Sequence, residues 1–493
     1  MGKYVDHVFV LMLENRSFDH FFGLSGRSEI PRPVPASPIF GPGAPDQLSA
    51  DPPHEFANVQ AQIHGGAMDG FNPGTGQAFE PAQIPILSQL AQEFVLFDNW
   101  FSSVPGPTWP NRFFVHAASS GGLATSPTNL QAGGSVVGLA HPWKFQNGSI
   151  YDRLDQAGLK WRIYHGDPVP QVLALPGAID RYIGGGENFC QTYGIDPTAS
   201  NFANDVSKAD YEPAYTFIEP NYAIQAISRF SFTYGDSQHA TGKVSAGEAL
   251  IKYVYESLRN SPLWERSALL ITWDEHGGFY DHVKPPQAVP PGDSPFNRPT
   301  DGSDPGFAFD RLGVRVPAVL ISPLVPSGQL GSQLFPGQSF DHTSVIKSVF
   351  ENFGISPALT QRDYAAPSWN GCMVNAPTGA GSAFATLKAP AKVAATPATP
   401  IVAGLAPAHI DGFLTGTMLN ALSVDRALAA QTGKPPIAST TPQTARQYAH
   451  AQKASLSDPH FKLDVAQYIN EVSGRVQVQR AKARLNAVAA AKT

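Results

Sequence analysis

Charge is scarce in this chain: Asp, Glu, Lys and Arg together make up 15% of 493 residues, and 40 acidic residues outnumber 34 basic ones. No cluster of Lys and Arg stands out against the net charge of −6, so the electrostatic footprint of a nucleic-acid-binding protein is absent. Cysteine is nearly missing, and Cys190 and Cys372 leave two readings open, one long-range disulfide or two unrelated buried thiols. No apolar run is long enough to span a bilayer. The first residues, Met1 to His7, lack the basic segment, apolar stretch and small-residue cleavage site of a signal peptide. The expectation is a soluble protein, cytoplasmic if this is the native start and periplasmic or extracellular if a leader has been removed.

What is abundant is apolar residue, 42% of the total. That excludes a disordered chain, and the length calls for one large domain with an appendage or for two domains. Val5 to Leu13 reads as a buried strand ending in Glu14-Asn15-Arg16-Ser17. Pro31 to Pro81 is rich in Pro and Gly and reads as a loop draped over the core. Helix-then-strand alternation follows: Ile84 to Phe97, then a helix opening at Ser149 before a strand over Leu159 to Tyr164, then a helix over Ala246 to Leu258 before a strand over Ser267 to Trp273. A strand over Val314 to Ile321 and a helix over Thr343 to Phe353 continue it. Such alternation predicts a mostly parallel α/β sheet covered on both faces, with ligands bound outside the carboxyl ends of the strands. The expected division is a catalytic domain over 1–384, an Ala/Pro/Thr-rich linker over 385–404 and a helical extension over 405–493, serving as a lid or an oligomer contact.

Three places carry groups suited to chemistry. The strand ending at Trp273 runs into Asp274-Glu275-His276-Gly277-Gly278, an exit that is costly to bury unless something binds its charges, although Asp and Gly also serve ordinary turns. A second acidic exit, Glu14-Asn15, tips the balance toward an oxygen-rich pocket for a divalent cation. Thr108 sits in Pro105-Gly-Pro-Thr-Trp-Pro-Asn-Arg112, a rigid turn expected to enter a helix at Asn111 or Arg112; it reads as a plain N-cap or as a group facing an anion.

Met12-Leu-Glu-Asn-Arg-Ser-Phe-Asp-His-Phe-Phe-Gly23, Gly106-Pro-Thr-Trp-Pro-Asn-Arg112 and Thr272-Trp-Asp-Glu-His-Gly-Gly-Phe-Tyr-Asp-His-Val283 together resemble the bacterial phospholipase C and acid phosphatase family of phosphoesterases. Further likenesses are His54-Glu-Phe, Gly66 to Phe71, Phe217-Ile-Glu-Pro220, Ser237-Gln-His239 and Phe340-Asp-His-Thr-Ser344, so the resemblance spans roughly residues 4 to 355. It implies an alkaline phosphatase-like three-layer α/β sandwich. It further implies Glu14, Asn15, Thr108, Asp274 and Glu275 around one divalent metal ion, Thr108 as nucleophile and Asn111 as a phosphate contact. His54 and His239 correspond to the family's phosphate-side histidines, and His165 is a weaker substrate-side match. His276, His282, His342, Asp19, His20, Asp69 and Asp281 are expected to serve structure. The function implied is metal-dependent phosphoester hydrolysis through a phosphothreonine, on phosphatidylcholine-type diesters or, as an acid phosphatase, on monoesters. A phospholipid substrate would bring transient contact with a membrane surface, and Trp100, Trp109, Trp161 and Tyr164 are candidates to cage a choline headgroup. The reading from another class is an inactive phosphate- or headgroup-binding protein. A sulfatase ranks low, because neither cysteine lies in a string like that of Thr108.

Overall fold

The computed structural model describes residues 3–33, 40–127, 143–193, 200–223, 232–382, 384–387, 408–437 and 459–490. The apolar runs form the central sheet. In chain order its strands are β1 (His7–Leu13), β2 (Val95–Leu96), β3 (Trp161–His165), β4 (Phe189–Gln191), β5 (Tyr215–Glu219), β6 (Ser267–Trp273) and β7 (Ala318–Ile321). Across the sheet the order is β2-β7-β6-β1-β5-β3-β4. β1 pairs in parallel with both β5 and β6, and β3 pairs in parallel with β4 and β5. β7 runs antiparallel to both of its neighbours, β2 and β6. Every residue of β6 is buried, as is β1 beyond His7, which is why these strands read as unbroken apolar runs rather than alternating ones.

Helices cover the sheet in two groups. α1 (Phe56–Ile63) lies in the segment before them. α2 (Pro85–Glu93) packs against the later Val244–Arg259, whereas α3 (Thr108–Ala117) packs against α4 (Ile150–Gln156) and the later Thr343–Phe353. After α5 (Ala178–Ile183), those two later helices are α6 (Val244–Arg259) and α7 (Thr343–Phe353), and α8 (Ala408–Thr432) and α9 (Pro459–Ala490) close the described chain. The mostly parallel α/β sandwich expected from the alternation is therefore present.

Two local expectations are corrected, and the open question of the cysteines is answered. The Pro- and Gly-rich stretch is not all loop: it holds α1, whose Val59 and Ile63 are buried at helical spacing, and a two-residue pairing of Gly41–Pro42 with Gln77–Ala78. The strand expected from Val314 begins only at Ala318, because Pro317 has no N–H to give to a ladder. Cys190 and Cys372 are both free thiols.

Residues 388–404 of the expected linker, and 405–407 of the expected extension, lie outside the described residues. The helical tail does not stand apart. Leu419, Leu422 and Val424 of α8 and Ile469, Val472 and Val476 of α9 belong to the same buried cluster as the strands. α8 contacts α3, α5 and α9, so it is core rather than lid. No described helix is long and apolar enough to cross a membrane.

Glu248 of α6 shows how the layers are tied. Its carboxyl is fully buried and accepts the N–H groups of Ile86 and Leu87, 2.7 and 2.9 Å away, in the first turn of α2, where a helix has no donors' partners of its own. Burial pushes its pKa from 4.5 up to about 8 against the pull of those two N–H groups. Glu248→Ala should cost about 3 kcal/mol in denaturant unfolding. A carboxyl raised on folding loses its stabilising contribution as pH rises from its unfolded toward its folded pKa. The gap between wild type and variant should therefore shrink from pH 5 to pH 8; a gap that widens would refute the assignment.

Candidate active site

Parallel pairing of β1 with β6 sets Leu13 opposite Trp273, so the residues that follow, Glu14 and Asp274, leave the sheet side by side at its carboxyl edge. Asn15 then turns with a left-handed φ of 59°, a conformation Asn tolerates better than most side chains. Its N–H donates to Asp274 Oδ1 at 3.1 Å, and the Glu275 N–H donates to the same oxygen at 2.7 Å. Gly277 is required here: its φ is 64°, and a β-carbon would stand 2.4 Å from the Asn15 carbonyl oxygen. Its N–H fixes Glu275 through Oε2 at 2.7 Å.

Arg112 holds the two strand exits together. Its Nε donates to Asp274 Oδ2 at 2.9 Å, and Nη2 donates to the carbonyls of Met12 and Leu13 at 3.2 and 3.1 Å, the whole side chain being buried. Glu14 has no comparable support. It is 0% exposed, and neither Oε1 nor Oε2 has a hydrogen bond of ordinary geometry; the Ser237 side chain only eases its ionisation. Glu275 Oε1 is likewise without a hydrogen bond, with the imidazoles of His54 and His276 3.5 Å from its carboxylate. Burial, and then the charge of Asp274, raise both Glu14 and Glu275 well above the ordinary carboxylate range. Buried, unsatisfied carboxylate oxygens beside an Asn amide oxygen are a donor set that fits a hard or borderline divalent cation.

Thr108 is the first residue of α3, not a residue ahead of it: the helix begins at Thr108 with Pro107 as its cap, earlier than the Asn111 or Arg112 expected. Its hydroxyl faces Asn15 Oδ1 at 3.5 Å. First-turn N–H groups, which have no acceptor within a helix, therefore lie beside the hydroxyl. On the other side of Asn15, its Nδ2 donates to His54 Nε2 at 2.9 Å, while His54 Nδ1 donates to the Pro52 carbonyl at 2.6 Å. His239 lies close by, its ring 6.3 Å from that of His54, stacked on Phe232, with Nε2 3.5 Å from Asp51 Oδ2.

Glu14, Asn15, Thr108, Asp274, Glu275 and His54 thus converge, and His239 adjoins them. Two other expectations do not hold. Asn111 is fully buried, its Oδ1 accepting from the Val104 N–H and its Nδ2 donating to the carbonyls of Val104, Gly106 and Pro107; it ties down the Thr108 turn and has no donor left for a phosphate. His165 ends β3, two strands from β1, and its Nδ1 is engaged by the Asp167 carbonyl at 2.5 Å. Burial lowers its pKa to about 4, which suits a neutral structural imidazole. The aromatic cage is corrected as well: Trp100, Trp109, Trp161 and Tyr164 are all within 3% of full burial and pack in the core.

The residues expected to serve structure all have hydrogen-bond or ion-pair partners. His276 meets Gln62, His342 meets the Asp274 carbonyl and His282 meets Asp19. Arg315 bridges Asp19 and Asp281, and His20 meets Arg16. Asp69 pairs with His64 at the surface. Sequence reasoning gave no role to Arg112 or Asp51. Arg112 stood inside a motif already quoted. Asp51 precedes His54 by a Pro-Pro step, and one ligand atom each from Asp51, His54 and His239 lie within 4.8 Å of one another.

Residues 5–356 match the model of the phosphoesterase family. The chain belongs to that family. This phosphoesterase is 34% identical to non-specific phospholipase C6 of Arabidopsis thaliana over 391 residues, covering 72% of this chain and 69% of that one. It is 27% identical to phospholipase C A of Mycobacterium tuberculosis over 403 residues, covering 71% of this chain and 73% of that one. A solved structure from Vibrio parahaemolyticus, described as a protein in the alkaline phosphatase superfamily, overlays with a TM-score of 0.33 at 12% identity, covering 88% of this chain and 89% of the other. That overlay is loose and carries no weight for chemistry. The family and the phospholipase relatives make this phosphoesterase a hydrolase of phosphoric esters.

Arg112→Met should destabilise the protein by about 3–5 kcal/mol, since it leaves Asp274 buried without its partner. Arg112→Lys should recover only part of that loss in denaturant unfolding, because a lysine cannot reach the carboxylate and two carbonyls with one planar fork. Equal stability of Arg112→Met and wild type would show that the fork holds nothing.

Proposed function

We propose that the enzyme is a phospholipase C that cleaves phosphatidylcholine-type diesters at the glycerol-side bond, with Thr108 as nucleophile. The observation that carries this reading is the Thr108 hydroxyl, buried at the start of α3 and 3.5 Å from Asn15 Oδ1, beside two carboxylates with unsatisfied oxygens. Among the described residues neither Glu14 nor Glu275 meets an Arg or Lys at ion-pair distance. A divalent cation held by Glu14, Asn15, Asp274 and Glu275 would offset that buried charge and, when bound, make the Thr108 hydroxyl a better nucleophile.

The chain's own groups supply the rest. Gripped by the turn that Asn111 fastens, the Thr108 oxygen is set for in-line attack on phosphorus, and first-turn N–H groups of α3 face the non-bridging oxygens. The Thr108 hydroxyl gives up its proton to solvent as its Oγ–P bond forms and the bond from phosphorus to the glycerol oxygen breaks. An imidazolium of the His54 and His239 pair gives that oxygen its proton, releasing diacylglycerol. Water then breaks the phosphothreonine, giving one proton back to the imidazole while Thr108 regains its own from solvent, and the phosphorylated headgroup is released. The phospholipase names of the relatives support a diester substrate, met in transient contact with a lipid surface.

Thr108→Ala should lower turnover of p-nitrophenylphosphorylcholine on the order of 10³-fold or more with the fold intact, and Thr108→Ser should keep part of the rate. Near wild-type turnover by Thr108→Ala would assign attack to water and reduce Thr108 to a helix-start residue. Chelation, checked by elemental analysis, should abolish activity, and added divalent cation should restore it; full turnover by metal-free protein would remove the cation from the reading. Catalytic efficiency on p-nitrophenylphosphorylcholine should exceed that on p-nitrophenyl phosphate. The reverse order would make the enzyme an acid phosphatase.

A further inference from the structure

The family match ends at residue 356, yet a segment well beyond it stands directly against the nucleophile's neighbour. Every residue of α8 from Gly416 to Asp425 is buried. Gly416 lies on the indole of Trp109, so closely that a β-carbon built on it would sit 2.1 Å from Cε2 and 2.2 Å from Cζ2. Trp109 follows Thr108 in the chain, is 1% exposed, and also stacks on Trp143 with ring centroids 6.2 Å apart and planes 19° apart. Phe113, one turn further along α3, meets it edge-on at 5.9 Å. The indole is thus held from within α3, by Trp143 and by a backbone surface that only glycine provides.

One turn along α8 from Gly416, on the same face, Asn420 Nδ2 reaches the carbonyls of Pro170 and Gln171 at 3.3 and 3.1 Å. The N–H groups of Gln171 and Val172 are themselves held by Glu219 at the end of β5, at 2.8 and 2.9 Å. A single helix therefore joins the first turn of α3 to the turn fastened on the strand beside β1.

We propose that α8 is part of the catalytic apparatus, with Gly416 and Asn420 as positioning residues that fix Trp109 and through it the Thr108 hydroxyl. This rests on Thr108 being the nucleophile. Thr108 and Trp109 share a peptide plane, so an indole displaced by a new methyl group carries the first turn of α3 with it, and in-line attack tolerates little misplacement.

The test is Gly416→Ala in the full chain, with folded protein quantified by circular dichroism and size exclusion, and kcat and KM read on p-nitrophenylphosphorylcholine. The expected result is a kcat per folded molecule lower on the order of 10- to 100-fold, with KM within about twofold of wild type. Gly416→Ala should cost much less rate in a Trp109→Phe background than in wild type, since the smaller ring makes room for the methyl group. If Gly416→Ala does not fold, Asn420→Ala, which removes two hydrogen bonds and adds no atoms, is read in its place and should show the same split. A lower thermal midpoint with unchanged kcat per folded molecule would overturn the proposal and leave α8 as packing alone. Thr108→Ala is assayed alongside: if it stays active, the nucleophile assignment fails independently of what the α8 variants do.

Discussion

The site depends on one pairing, the parallel register that sets Leu13 against Trp273. Both strands are apolar to their last residue and both continue into acid, so pairing them concentrates carboxylates where burial penalises charge most. Arg112 answers part of that cost by joining Asp274 to the carbonyls at the end of β1. Glu14 and Glu275 are left with unsatisfied oxygens. These unsatisfied oxygens, at the carboxyl edge of a parallel sheet where ligands bind in such folds, are the observation on which the proposed cation rests.

Much of this was legible in the sequence. Strand exits are readable because a fully buried parallel strand leaves an unbroken apolar run, and the break in that run is where Glu14 and Asp274 stand. Periodicity located α6 and α7 nearly to the residue, and the motif strings brought Thr108 and His54 to the same place as those exits. Arg112 was missed and Asn111 misjudged for a common reason. Sequence shows that polar residues follow Thr108 but not which way each side chain points on a helix that starts at Thr108 itself. Asn111 points back into its own turn, whereas Arg112 reaches the strands.

The aromatic residues failed differently. Four rings were taken as candidates to cage a choline headgroup, yet each is sequestered in the core, because rings with this much apolar area are drawn inward unless backbone geometry holds them out. The short α1 was hidden by the Pro and Gly around it, and its few buried positions are too few for periodicity to register. Long-range packing is what sequence pattern resolves least: nothing local to Gly416 announces an indole from the other end of the chain.

That last contact bears on how the molecule is assembled during synthesis. All strands of the described sheet, ending at Ile321, emerge before α8 is made. The surface that α8 covers, including the indole beside Thr108, is therefore left open while the rest of the sheet is already able to pair. Asn420 meets its partner carbonyl 250 residues upstream, a closure whose entropic cost falls at the end of folding. A chain that has made every described strand but not yet α8 therefore leaves the indole beside Thr108 uncovered until that helix docks.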